Sequence, residues 1–78
     1  MDMMYLSQAP PGSIVEVIAI RGGMGVMRRL LALSIRIGDR LKVINNPHFG
    51  PVLVEHITHG HRVAIGRGVA SKVEVRIL

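Results

Sequence analysis

The stretch Ser13-Ile14-Val15-Glu16-Val17-Ile18-Ala19-Ile20-Arg21-Gly22-Gly23-Met24-Gly25-Val26-Met27-Arg28-Arg29-Leu30-Leu31-Ala32-Leu33 contains the change of period that decides the fold. From Ser13 to Ile20, Ile14, Glu16, Ile18 and Ile20 face opposite to Val15, Val17 and Ala19. Both sides are mostly apolar, which predicts a strand that is central or covered. Arg21-Gly22-Gly23-Met24-Gly25 ends that period. Beyond it Val26, Leu30 and Leu33 recur at i, i+4 and i+7, with Met27 and Leu31 on an adjoining stripe, so one short helix is predicted over residues 25–33. Arg28, Arg29 and Ala32 fall on its less apolar side.

Upstream, Gln8-Ala9-Pro10-Pro11-Gly12 is a turn, because two prolines fix φ and remove donors ahead of a glycine that tolerates positive φ. Downstream, Ile37-Gly38-Asp39 turns the chain into a half-buried strand from Arg40 to Asn45, with Leu41 and Val43 inward and Arg40 and Lys42 outward. Asn45-Asn46-Pro47-His48-Phe49-Gly50-Pro51 is a loop held by two prolines, followed by a strand from Val52 to Ile57. Thr58-His59-Gly60-His61 is a tight reversal into a partner strand from Arg62 to Ile65. Gly66-Arg67-Gly68 interrupts, Val69-Ala70-Ser71 forms a turn or one helical turn, and Lys72 to Ile77 alternates again.

The connections are too short for crossover helices, so the strands must pair antiparallel. The fold class predicted is mostly β: a small SH3-like β-barrel of about five antiparallel strands with one short α-helix after the first strand. Curling into a barrel is the compact way to hide sheet edges in so small a chain. An OB-type barrel ranks second, since its helix usually comes later in the chain. The whole of residues 1–78 is read as one domain, with 1–5 as a flexible N-terminus.

Composition narrows the function. A chain of 78 residues hides only about 60% of its unfolded surface, and with 49% apolar but 3% aromatic residues its core is built from Val, Ile, Leu and Met. Multi-domain enzymes and doubly wound nucleotide-binding folds do not fit. A chain this apolar also escapes disorder. The absence of cysteine removes disulfides, thiolate zinc sites and iron–sulfur ligation, and suits a reducing compartment. With no run approaching a membrane span and no secretory signal, a cytoplasmic location is expected. The net charge of +5 favours acidic partners.

His48, His56, His59 and His61 are the only ligand candidates for a metal beside the carboxylates. The weak candidates are His59 and His61, whose i, i+2 spacing would put both rings on one strand face. The glycine between them favours the tip of a turn and two solvated rings, so no metal cofactor is assigned beyond weak divalent binding. Gly22-Gly23-Met24-Gly25 before a helix suggests an anion cradle, but the Lys and Ser/Thr of a phosphate loop are missing. No catalytic constellation exists: there is no Cys, the serines lie in turns and the acids are scattered. Arg28, Arg29, Arg62, Arg67 and Lys72 read as a solvated basic face or as a surface for an acidic protein. Nucleic-acid binding and polyproline recognition lack the aromatic platforms they need. The helix is more apolar than one buried side requires, which makes Met27, Arg28 and Leu31 the candidate partner-binding residues.

Taken in order, Leu6 with Pro11-Gly12, Arg28-Arg29-Leu30 leading to Leu33-Ser34-Ile35 and Gly38, Gly50-Pro51, Ile65-Gly66-Arg67, and Ala70 before Lys72-Val73-Glu74-Val75 resemble the ferrous iron transport protein A (FeoA) family from Leu6 to the end of the chain. The resemblance implies a cytoplasmic, non-enzymatic SH3-like barrel that supports FeoB, the membrane ferrous-iron transporter with a cytoplasmic GTPase region, touching the membrane only through that partner. The helix is then the expected FeoB contact; a homo-oligomer stays open. The same unit occurs as the C-terminal domain of DtxR-type metal-dependent repressors, which makes a metal-dependent regulatory domain the alternative, with a basic nucleic-acid-binding barrel as a further one. One departure is local: where the family reads Leu-Gly-Ile/Met-x-Pro-Gly, this chain reads Leu33-Ser34-Ile35-Arg36-Ile37-Gly38. A left-handed residue at position 34 would make that serine cost about 1 kcal/mol relative to glycine.

Overall fold

A computed structural model describes residues 3–78. The elements run β1 (Met3–Tyr5), a 3-10 turn (Leu6–Gln8), β2 (Ile14–Ile20), α1 (Gly23–Ala32), β3 (Arg40–Asn45), β4 (Val52–His56), β5 (Arg62–Ile65), α2 (Arg67–Ala70) and β6 (Val73–Ile77). All strand pairs are antiparallel, in the order β1-β6-β2-β3-β4-β5. The strand expected to be central is β2, which lies between β6 and β3.

The structure departs from expectation in the strand count, in the place of the helix and in closure. The sheet has six strands, because Met3–Tyr5, inside the stretch expected to be a flexible N-terminus, pairs with Glu74–Arg76 of β6. Three residues are too few to show alternation in sequence, yet Met4 packs on the core while Met3 and Tyr5 stay outside. The helix therefore follows the second strand, and a second, four-residue helix, α2, stands where one helical turn was an option. The ladder also does not close: β1 and β5 are its two edges. Residues 1 and 2 lie outside the described residues.

The core is aliphatic, as composition required, but its fully buried members are Val, Leu, Ile and Ala, with Met4 the methionine packed at its margin. Val15 and Val17 of β2, Leu41 and Val43 of β3, Val52 and Val54 of β4, and Val73 and Val75 of β6 project inward at alternate positions, and Leu30 of α1 covers one end. The helix starts two residues earlier than predicted because Gly22 caps it at φ +86°. A Cβ there would lie 2.8 Å from Val26 Cγ2 and 3.3 Å from the stem of Lys72.

The helix ends in a Schellman arrangement. Ile35 N–H donates to Leu30 O and Ser34 N–H to Leu31 O, at 2.9 Å each, and Leu30 and Ile35 are both fully buried. Ser34 takes the left-handed position at φ +60°, alone among the described non-glycine residues. The left-handed conformation on which the cost of the serine depends is therefore present. Ser34→Gly is expected to stabilise the protein by about 1 kcal/mol, a rise in Tm of about 4–8 °C in a calorimetric scan. An unchanged Tm would show that the serine is not strained.

Candidate docking surface

The helix α1 lies against β2 and turns Val26 and Leu30 toward the core. Its other side carries the predicted partner-binding residues. Met27 is half-buried, Arg28 is exposed, and Leu31 is 47% exposed. With Met24, which is 69% exposed, they form an i, i+3, i+4, i+7 stripe along one face of the helix. Ile37, in the turn that follows the helix, adds another exposed apolar side chain.

Charge is distributed unevenly. Glu16, Glu55 and Glu74 pair with Arg76, Arg62 and Arg21, and Asp39 pairs with His56, so every carboxylate side chain among the described residues has a partner. On the outer face of the sheet Glu16 also stands opposite Arg40, and Glu55 opposite Lys42. Among the described residues Arg28, Arg29 and Arg36 have no such carboxylate, and Lys72 borders the N-terminal end of the helix beside Gly22. Apart from Arg67, whose guanidinium is held by carbonyl and amide oxygens, the unbalanced positive charge is therefore concentrated around α1. The basic set expected from sequence loses two members: Arg62 is paired with Glu55, and Arg67 turns inward.

The C-terminal end of α1 rests on the β4–β5 reversal. His61 Nε2–H donates to the carbonyl of Leu33 at 3.2 Å, giving a partner to one of the orphan carbonyls at the helix end. His56, 1% exposed, accepts the backbone N–H of His59 at Nδ1 (3.2 Å). Its proton must then sit on Nε2, which donates to Asp39 Oδ2 at 2.9 Å. The rings of His56, His59 and His61 pack within 4.5–6.0 Å of one another. Burial pushes the Asp39 carboxyl up, but the hydrogen bonds from His56 and from Arg36 N–H outweigh it and hold the carboxyl below its ordinary value.

The weak metal candidates His59 and His61 thus lie side by side at the hairpin tip, with one nitrogen of His61 already engaged. Among the described residues no three His, Asp or Glu side chains gather as a metal set. None of these residues needs a catalytic reading: His56, Asp39 and Arg67 hold turns and loops. Sequence reasoning grouped His56 with the ligand candidates, although the parity of Val52, Val54 and His56 on β4 carried a signal for its burial. The inward role of Arg67 had no such signal.

Fold and surface together define an SH3-like β domain whose helix presents a basic face edged with apolar side chains. The chain belongs to the FeoA domain family, whose model matches residues 4–77. It is 45% identical over 73 residues to a Methanocaldococcus jannaschii protein that carries the name Fe(2+) transport protein A, covering 94% of this chain and 85% of that one. Among solved structures, the crystal structure of an iron uptake regulatory protein (FeoA) superposes with a TM-score of 0.90 at 32% identity, covering 97% of this chain and 99% of the other. A FeoA protein from Chlorobium tepidum gives 0.81 at 32% identity, over 96% of this chain and 70% of that one. A manganese-dependent transcriptional repressor gives 0.90 at 22% identity over all of this chain and 38% of its own, a likeness of fold alone.

Proposed function

We propose that the protein is a cytoplasmic, non-enzymatic accessory of ferrous iron transport that docks through α1 on the cytoplasmic GTPase region of a FeoB-type membrane transporter and modulates its activity. Family membership and the names of the 45% and 32% identical relatives support the iron-transport setting. The observation that carries docking is the surface of α1, where Arg28, Arg29 and Arg36 lie without a carboxylate partner among the described residues, beside the apolar stripe of Met24, Met27 and Leu31. Such a surface suits an acidic protein face with an apolar centre. No helix among the described residues is long and apolar enough to cross a membrane, consistent with contact through the partner.

Binding and GTP hydrolysis by the co-encoded transporter's cytoplasmic region test the reading. Met27→Glu/Arg28→Glu is expected to lower affinity at least tenfold and to abolish any change in GTPase rate. Arg28→Glu/Arg29→Glu, which touches only exposed positions, should weaken binding in the same direction and flatten its salt dependence. Wild-type binding by both folded variants would remove α1 from the interface.

A further inference from the structure

The run Gly22-Gly23-Met24-Gly25 holds three glycines, and the fold requires two of them. Gly22 and Gly23 stand at φ +86° and +77°, where an L side chain is strained, and a Cβ on Gly22 would also meet Val26. Gly25 has neither reason. It is the third residue of α1 and lies outside the left-handed region. Apart from its chain neighbours and the backbone of its own helix turns, no heavy atom among the described residues comes within 4 Å of the place a Cβ would take. Inside a helix such a glycine is a loss relative to alanine, because it gives up more backbone freedom on folding. A residue that breaks a local rule with no return in the fold is expected where a function uses it.

The neighbours of Gly25 supply that use. Arg28 and Arg29, three and four residues on, share its side of the helix, and helical side chains lean back over the turn that precedes them. All three residues are exposed, and neither arginine has a carboxylate partner among the described residues. Met24, 69% exposed, borders the same spot from the apolar stripe. The bare backbone at Gly25 is therefore a gap in the side-chain cover beside two unpaired cations. An acidic group that reaches both of them passes over Gly25, and a Cβ would hold it off. A second copy would instead set the same cations against each other. We infer that Gly25 is the point of closest approach between α1 and an acidic protein face, and that the glycine serves this contact rather than the fold. The inference rests on the docking reading and deepens it, by placing the partner against the helix backbone as well as the arginine side chains.

Calorimetry, and titration of the full chain against the co-encoded transporter's cytoplasmic region, test it. Gly25→Ala is expected to raise Tm by about 2–8 °C and yet to weaken binding at least tenfold. Gly25→Leu should weaken binding further with the fold intact. Gly68→Ala, which fills an equally open glycine in α2, should keep wild-type affinity. A lower Tm in Gly25→Ala would return the glycine to the fold and overturn the inference, as would an equal loss of binding in Gly68→Ala. Wild-type affinity in both Gly25 variants would also overturn it, and the docking reading would stand alone if Met27→Glu/Arg28→Glu still lost binding. A dimer that Gly25→Leu dissolves, with transporter binding unchanged, would assign the gap to a second copy and overturn it as well. The inference and the docking reading fall together only if the wild-type chain does not bind, or if binding is indifferent to every α1 variant.

Discussion

Arg67→Ala is expected to destabilise the protein by about 2–4 kcal/mol, because charge-assisted hydrogen bonds are the stronger kind and several end on this one side chain. Its guanidinium joins α2 to the carbonyls of Pro47 and Gly50, to the amide of Asn46 and to Ser7 of the N-terminal turn. Truncation leaves those part-buried acceptors to water or to nothing. In a domain of this size the loss corresponds to a fall in Tm of more than about 10 °C. Arg67→Lys should recover less than half, since an ammonium offers three donors from one point and cannot reproduce a planar fork. Calorimetry of the three proteins reads both differences. A lysine variant as stable as wild type would show that charge, rather than the fork, holds the loop.

The fold was legible wherever a period ran long enough to be counted. Residues 13–33 placed β2 and α1, the alternation of Arg40–Asn45 and Lys72–Ile77 placed β3 and β6, and the loop before Val52–Ile57 with the reversal before Arg62–Ile65 placed β4 and β5, each within a residue or two. The departure of Ser34 from the family motif marked it as the candidate left-handed residue, and it stands at φ +60°. Met3–Tyr5 was illegible because an edge strand of three residues owes its pairing to Glu74–Arg76, more than sixty positions away. Closure failed as an inference for a related reason: hiding both edges is only one solution, and pairing between β1 and β5 depends on sheet curvature, which local patterns do not encode. On the candidate site, spacing put Met27 and Leu31 on one stripe of the helix and Arg28 on its less apolar side. Spacing could not show the neutralisation of the other cations, because ion pairs such as Arg21 with Glu74 and Arg76 with Glu16 join residues distant in sequence.

Asp39→Ala is expected to cost about 2–3 kcal/mol at neutral pH, the penalty of leaving a buried N–H without its acceptor. The imidazole of His56 is 1% exposed, and its Nε2–H has Asp39 Oδ2 as its hydrogen-bond partner. That same oxygen accepts Arg36 N–H at 2.9 Å, so one atom ties the turn after α1 to β4. An asparagine oxygen can occupy the same place and keep both bonds, so Asp39→Asn should cost far less at pH 7. The two variants separate again in acid. The folded protein holds the Asp39 carboxyl below its ordinary value, so its ionised form favours folding. That contribution is complete above the unfolded value, about 3.9, and is lost as pH falls through the lower folded value. Urea unfolding between pH 7 and pH 2 should therefore show the gap between wild type and Asp39→Asn closing below about pH 4. The other carboxylates titrate in both proteins and largely cancel in the difference. A gap that stays constant through that range would mean that the charge of Asp39 adds nothing, and that His56 is held by the hydrogen bond alone.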